Sequence, residues 1–357
     1  MVLNLSEDPN LMSLVENGIG GLKNLGNTCF LNTAIQCLKC IPVFSAYFLS
    51  DQYRNDINTK NEANFVEELA EMIRFMWQSN EVYSPIAFKR VLEVFNPIFT
   101  GGDQHDTVEA FLRIIDLLHE GLSFQVNIHM LERVPPSLLT AQDKINIESI
   151  EIWKNRFENN YSIMTRLFSG QFWSRTRCDE CQNISSSFDP FNIINLPINR
   201  STNSLFDCIN YYVLSDDLCG RNKLFCDKCK KECNGKKRQT IWRLPPVLVF
   251  SFNRYDDYLN KINKFIDFPI NRVNFVDLVE KKSDKKVAYD LVSVGNHSGS
   301  AKFGHYWAFG KGLDGNWYEF NDSIVKRLDG EGPVVTANAY FLVYMRRGLG
   351  VDTIMSK

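Results

Sequence analysis

Gly21-Leu22-Lys23-Asn24-Leu25-Gly26-Asn27-Thr28-Cys29-Phe30-Leu31-Asn32 is the stretch from which the rest of the chain is best read. Gly26-Asn27 breaks the chain, Thr28 or Asn27 can cap a helix, and Phe30, Ala34, Leu38 and Ile41 recur on one helical face until Pro42. Cys29 falls at the start of that helix, where free backbone N–H groups and the positive end of the dipole favour a thiolate. This local pattern fits two roles, a reactive nucleophile or a buried structural thiol.

Moving outward, Phe65, Val66, Leu69, Ile73 and Met76 mark a second amphipathic helix, and Val108, Phe111, Leu112, Ile115 and Leu118 a third. Residues 123–160 carry little pattern beyond the Pro135-Pro136 break and a helix near Ile150–Phe157. Beyond them, Val247–Phe252, Val287–Val294, His305–Phe309, Trp317–Phe320 and Ala339–Met345 are short aromatic or β-branched runs bounded by turn residues. Helices first and sheet later is an α+β layout.

Composition narrows the function. The chain has 357 residues, 44% hydrophobic and 13% aromatic, enough for a sizeable core. Forty basic against 42 acidic residues give a net charge of −2, which argues against a general nucleic-acid binder or a polybasic membrane protein. No run reaches the roughly 18 apolar residues of a membrane span, and the N-terminus lacks a secretory pattern. The ten cysteines are therefore read as thiols in a reducing compartment, cytosol or nucleus.

Two cysteine pairs stand out. Cys178-Asp179-Glu180-Cys181 and Cys226-Asp227-Lys228-Cys229 are C-x-x-C knuckles with 44 residues between them. Two such hairpins complete a tetrahedral thiolate site for one structural zinc ion, at the tips of neighbouring long strands. Cys219 and Cys233 are alternative ligands. The lysines around the second pair are read as a solvated finger tip, because acidic residues dilute them and few aromatics interleave.

A nucleophilic cysteine needs a base and a group to orient it. His305 lies in the apolar run Phe303-Gly304-His305-Tyr306-Trp307, and a hairpin return across Gly310–Asn316 would bring Asn321, at the end of Trp317-Tyr318-Glu319-Phe320-Asn321-Asp322, back level with it. Asn321 or Asp322 can orient the imidazole. Neighbouring strand residues point oppositely, so only one can do so directly. His297 is a weaker candidate base, His105 reads as a surface or interface residue, His119 as a helix C-terminal charge partner, and His129 is uninformative.

Together these segments resemble the ubiquitin-specific protease family of deubiquitinases. Residues 21–32 look like its cysteine box. Asn296-His297-Ser298-Gly299 with 303–308 and 317–322 look like its histidine box. Gln104-His105-Asp106-Thr107-Val108-Glu109-Ala110-Phe111-Leu112 resembles the acidic helix between them, and Leu248–Tyr255, Phe268-Pro269 and Ala339–Tyr344 also fit.

The resemblance implies a papain-like fold with palm, thumb and fingers subdomains and a zinc-ribbon-like finger tip. Residues 1–19 would be a lead-in, 20–347 the catalytic domain (thumb about 20–125, fingers about 165–245, palm about 246–347) and 348–357 a tail. It assigns Cys29 as nucleophile, His305 as base and Asn321 as third member, with Asp322 competing. Asn24 would hold the oxyanion, and Asp106 and Glu109 would grip arginines of the ubiquitin tail. Gly304 would wall a narrow tail channel, and His297 would line the cleft or support the blocking loop. Phe303 replaces a glycine usual in the family, which bears on substrate choice.

The implied activity is hydrolysis of the isopeptide bond after the last glycine of ubiquitin, through a thioester. The alternatives are an isopeptidase for another ubiquitin-like modifier and a ubiquitin-binding pseudoprotease. Expected partners are ubiquitin and ubiquitinated proteins, with room for an activating protein, and no nucleic acid or membrane. A monomer with structural Zn2+ and no organic cofactor is expected.

Overall fold

The computed structural model describes residues 18–60, 62–127, 139–214, 216–280, 287–300 and 303–349. His129, Pro135-Pro136, and most of the lead-in and tail segments lie outside these residues. Among them no single helix is long and apolar enough to cross a membrane.

The first half is helical: α1 (Cys29–Lys39), α2 (Pro42–Leu49), α3 (Tyr53–Asp56), α4 (Ala63–Gln78), α5 (Ile86–Phe95), α6 (Thr107–Leu122), α7 (Ala141–Phe157) and α8 (Ile163–Phe168). The helix expected to run to Ile41 ends at Lys39. Pro42 cannot continue it, and instead starts α2 at N1, where its missing N–H costs nothing. In α4, Phe65, Val66, Leu69, Met72, Ile73 and Met76 form the buried stripe. α7 is longer than the sequence indicated. A Thr140–Asp143 capping box starts it, but it buries only Ser149 and Phe157, so no apolar stripe advertises it.

Among the described residues fourteen strands follow, interrupted by α9 (Leu205–Tyr212). A four-stranded sheet has the order β2 (Ile184–Phe191), β1 (Gly170–Cys178), β7 (Gly235–Arg243), β4 (Asp216–Leu218), and β5 (Leu224–Cys226) pairs with β6 (Lys231–Cys233) at its tip. The larger, eight-stranded sheet runs β13 (Ile324–Arg327), β12 (Trp317–Asn321), β11 (Gly304–Lys311), β10 (Ala288–Gly299), β14 (Ala339–Arg346), β8 (Val247–Asn253), β3 (Ile194–Pro197), with β9 (Val273–Asn274) beside β10. β3 lies inside the span read as fingers, yet it pairs in parallel with β8 in the large sheet. Leu196 is fully buried there beside Phe250 and Phe252, and that burial fixes its place.

One core joins α1, α4, α6 and α8 to one face of the large sheet, through residues such as Phe111, Phe168, Phe341 and Val343. A second core fills the other face, with Phe250, Phe275 and Tyr344 against α9. Trp173, Phe188 and Trp242 form a smaller cluster under Ile145 and Ile152 of α7. α1 is enclosed on every side: all 11 of its residues are buried.

Candidate active site

Cys29 begins α1. Gly26 at φ +98° and Asn27 at φ +54° turn the chain into it, and the first of these conformations favours glycine. The Asn24 side chain holds this turn, its Oδ1 accepting from the N–H groups of Gly26 and Thr28 at 3.0 and 3.2 Å. α1 packs against β11, which carries His305.

His305 lies between two partners. Its Nε2 meets Asn321 Oδ1 at 2.7 Å. Its pKa is raised to about 9, mainly by a hydrogen bond with Cys29, while partial burial opposes this and the Asn321 bond adds to it. The imidazole is therefore charged at neutral pH, with Trp307 stacked 6.3 Å away. The β11–β12 ladder pairs Ala308 with Phe320. Continuing that register sets Asn321 across from Trp307, a diagonal neighbour of His305 rather than level with it.

Asp322 faces elsewhere. At φ +51° it leaves the strand, and its carboxylate accepts from Asn24 Nδ2 at 2.9 Å and from Asn32 Nδ2 at 2.8 Å. Its backbone carbonyl accepts from Leu22 N–H at 2.9 Å. Asn321 thus orients the imidazole, and Asp322 ties the loop before α1, and α1 itself, to the end of β12.

Two expected substrate contacts are differently engaged. Asp106 is the N-cap of α6: its Oδ1 accepts from Val108 and Glu109 N–H groups at 2.7 and 3.1 Å, and its Oδ2 accepts from the Tyr340 hydroxyl at 2.5 Å. Its lone pairs are largely spent on the fold, whereas Glu109 is exposed on the first turn. His297 is 2% exposed, so it does not line the cleft. Its ring packs 4.3 Å from Tyr306, its Nδ1 meets the Tyr255 hydroxyl at 3.3 Å, and Lys261 Nζ donates to its carbonyl at 2.7 Å. Burial, then the nearby Lys261 and His305 charges, lower its pKa to about 4, so it is neutral. It supports the loop 255–261 from beneath.

His297 also explains Gly304: a Cβ there would stand 2.1 Å from His297 Nε2. Next to it Phe303 is 78% exposed. His119 is not a charged helix-end partner. Burial lowers its pKa, Asn160 Nδ2 bonds its Nε2 at 2.9 Å, and Ser162 Oγ bonds its Nδ1 at 2.8 Å. His105 packs its ring against Phe30 and Phe99 at 5.3 and 5.2 Å. Sequence reading passed over Gln104, a neutral residue with no chemical signature of its own, although both ends of its amide bond the Gly304 backbone.

Far from this cleft, Cys178, Cys181, Cys226 and Cys229 offer four sulfurs within 4.8 Å of one another. Cys181 and Cys226 sulfurs are 3.5 Å apart. Zn–S bonds of about 2.3 Å in a tetrahedron require S···S separations of about 3.8 Å, so the donor set fits zinc. Cys233 approaches the cluster through Cys229 and Glu180, while Cys219 is exposed and in neither group.

The family model described as ubiquitin carboxyl-terminal hydrolase matches residues 20–344. The chain belongs to that family. It is 32% identical over 348 residues to ubiquitin carboxyl-terminal hydrolase 2 of Bos taurus, covering 92% of this chain and 55% of the relative. It is likewise 32% identical over 362 residues to ubiquitin carboxyl-terminal hydrolase 21 of Homo sapiens, covering 93% and 62%. The chain thus spans a little over half the length of these two relatives. Among solved structures, the SAGA Ubp8/Sgf11/Sus1/Sgf73 DUB module bound to ubiquitin aldehyde aligns with a TM-score of 0.73 at 23% identity, over 93% of this chain and 70% of that one. That likeness concerns the fold alone.

Proposed function

We propose that this hydrolase is a thiol-dependent deubiquitinase that cleaves the isopeptide bond after the C-terminal glycine of ubiquitin. One observation carries the reading: the Nε2 of His305 meets Asn321 Oδ1 at 2.7 Å, on the strand packed against the helix that Cys29 begins. In the first step the Cys29 sulfur, its proton held by His305, attacks the glycine carbonyl and forms a C–S bond. The oxyanion accepts from the Asn24 amide, which has two N–H groups and spends one on Asp322. The C–N bond then breaks and the lysine amine leaves with the proton from His305. Water, deprotonated by His305, attacks the thioester, and the C–S bond breaks with Cys29 leaving as the thiolate beside the protonated His305, which restores the starting pair.

The cysteine cluster would be held by one Zn2+ whose four thiolates leave no open position, so its contribution is structural. In this reading residues 20–125 form the thumb and 246–347 the palm, while 165–245 form the fingers except for β3, which joins the large sheet. Ten cysteines outside any disulfide suit a reducing cytosol or nucleus. Ubiquitin and its conjugates are the partners, Glu109 the exposed acid that can meet basic tail residues, and the acting species is a monomer. The exposed Phe303 at the cleft favours a second reading, in which another ubiquitin-like modifier is the substrate.

Ubiquitin bearing a thiol-reactive C-terminal group tests both. An adduct formed by the wild type and absent from Cys29→Ala supports the deubiquitinase. Adducts with another modifier's probe alone move the substrate, and no adduct or binding with any probe rejects the reading.

A further inference from the structure

Gln104 closes a two-point bridge across the cleft. Its Nε2 donates to the Gly304 carbonyl at 2.9 Å, and its Oε1 accepts from the Gly304 N–H at 2.9 Å. A primary carboxamide carries the same donor and acceptor as a peptide unit, so this is the pairing an extended chain makes with an open strand edge. β11 pairs with β10 from Gly304 onward, whereas its pairing with β12 begins only at Ala308. Gly304 therefore stands on the stretch of β11 that β12 leaves uncovered, one residue before the base.

The other end of the bridge is anchored. Gln104 sits two residues ahead of the Asp106 cap, beside the His105 ring packed on Phe30. The same loop accepts, at the Gly102 carbonyl, from Asn27 Nδ2 at 2.6 Å. It is thus tied to the turn that leads into Cys29. The bridge joins the helical wall of the cleft to the sheet wall, and Cys29 is only 3% exposed. Both Gln104 bonds are solvent-exposed, so a competing backbone can exchange for them at small net cost.

We propose that Gln104 is a surrogate strand: its carboxamide occupies the uncovered edge of β11 in the free enzyme and is displaced by the backbone of the substrate's C-terminal tail. The identity of that tail rests on the deubiquitinase reading, but the bridge itself does not. Displacement sets an entry condition, because an incoming residue must lie flat along Gly304 where Gln104 now lies. A bulky side chain directed at either wall would prevent this.

The test uses the full chain as wild type, Gln104→Ala and Gln104→Glu, the last unable to donate to the Gly304 carbonyl. Alkylation of Cys29 by iodoacetamide, followed by mass spectrometry of its peptide, reads the opening without any ubiquitin. Hydrolysis of ubiquitin 7-amido-4-methylcoumarin gives KM and kcat separately. Alkylation three- to tenfold faster in both variants is expected, with KM lower by a similar factor (about 0.7–1.4 kcal/mol) and kcat moving less than twofold. Unchanged alkylation in both variants overturns the proposal, whatever KM does. Faster alkylation with KM unchanged or raised also overturns it, since the amide would not then compete with substrate. Faster alkylation in a protein whose wild type cleaves no ubiquitin substrate supports the bridge and rejects the ubiquitin reading instead.

Discussion

The imidazole of His305 is the residue on which pH acts most directly. Its bonds to Cys29 and Asn321 favour the charged ring, so the pKa is raised to about 9, above the ordinary value of 6.5. The charged form dominates through neutral pH. This interaction stabilises the fold fully below about 6.5, and the contribution is lost as pH rises through about 9. kcat/KM for a ubiquitin substrate is accordingly expected to fall as pH passes about 9. Asn321→Ala removes one supporting bond, and its pH–rate profile should show the alkaline limb at lower pH, with kcat down on the order of 10²-fold. A limb unmoved by Asn321→Ala would mean that the amide does not set the proton affinity of the ring. The meeting of His305 with Asn321 was legible because each sits in a short, patterned stretch. The division of labour between Asn321 and Asp322 was not, because it depends on the left-handed turn at Asp322. Nor could the sequence show that Asp106 and His297 spend their polar atoms inside the fold.

At the scale of elements, Asp106 joins a helix to a sheet. It caps α6 through two backbone N–H groups and receives the Tyr340 hydroxyl from β14. Asp106→Ala should therefore destabilise the protein by about 1–2 kcal/mol, read from the shift of a denaturant midpoint. Asp106→Asn, which keeps a capping oxygen, should retain most of that. If Asp106→Ala loses substrate affinity with no change in stability, the carboxylate acts on substrate instead. α1, α4 and α6 could be read in advance because one apolar face repeats along each. Of α7 only the end near Ile150–Phe157 could, since the helix lies on the surface with a mostly polar sequence. β1 and β7 were hidden for a related reason: Arg175, Arg177, Lys236 and Arg238 put charges where a strand pattern shows apolar residues.

Over the whole molecule, two separate constructions share one chain, a cleft at the seam between helices and large sheet and a thiolate cluster at the far end of the small sheet. Elemental analysis should find one zinc per chain, abolished in Cys226→Ser and retained in Cys233→Ser, because Cys233 lies beside the four-sulfur set and not within it. Loss of zinc from Cys233→Ser would make it a ligand. The four cysteines were legible from spacing alone, and the order of helices before strands gave the class. Long-range pairing was not legible. β3 reaches the large sheet as a parallel partner of β8, across the excursion that builds the small sheet, and local periodicity carries no record of which distant strand a short apolar run will join.

The enclosure of α1 has a consequence in time. A helix with all 11 residues buried has no surface from which to fray. From Asn32 onward its amide hydrogens, bonded within the helix, can exchange with solvent only when the surrounding core opens as a unit. The sulfur at its first turn is thus held for as long as the native state lasts. The lifetime of the catalytic alignment and the lifetime of the fold become the same quantity, and inactivation on heating should trace global melting rather than any earlier local loosening.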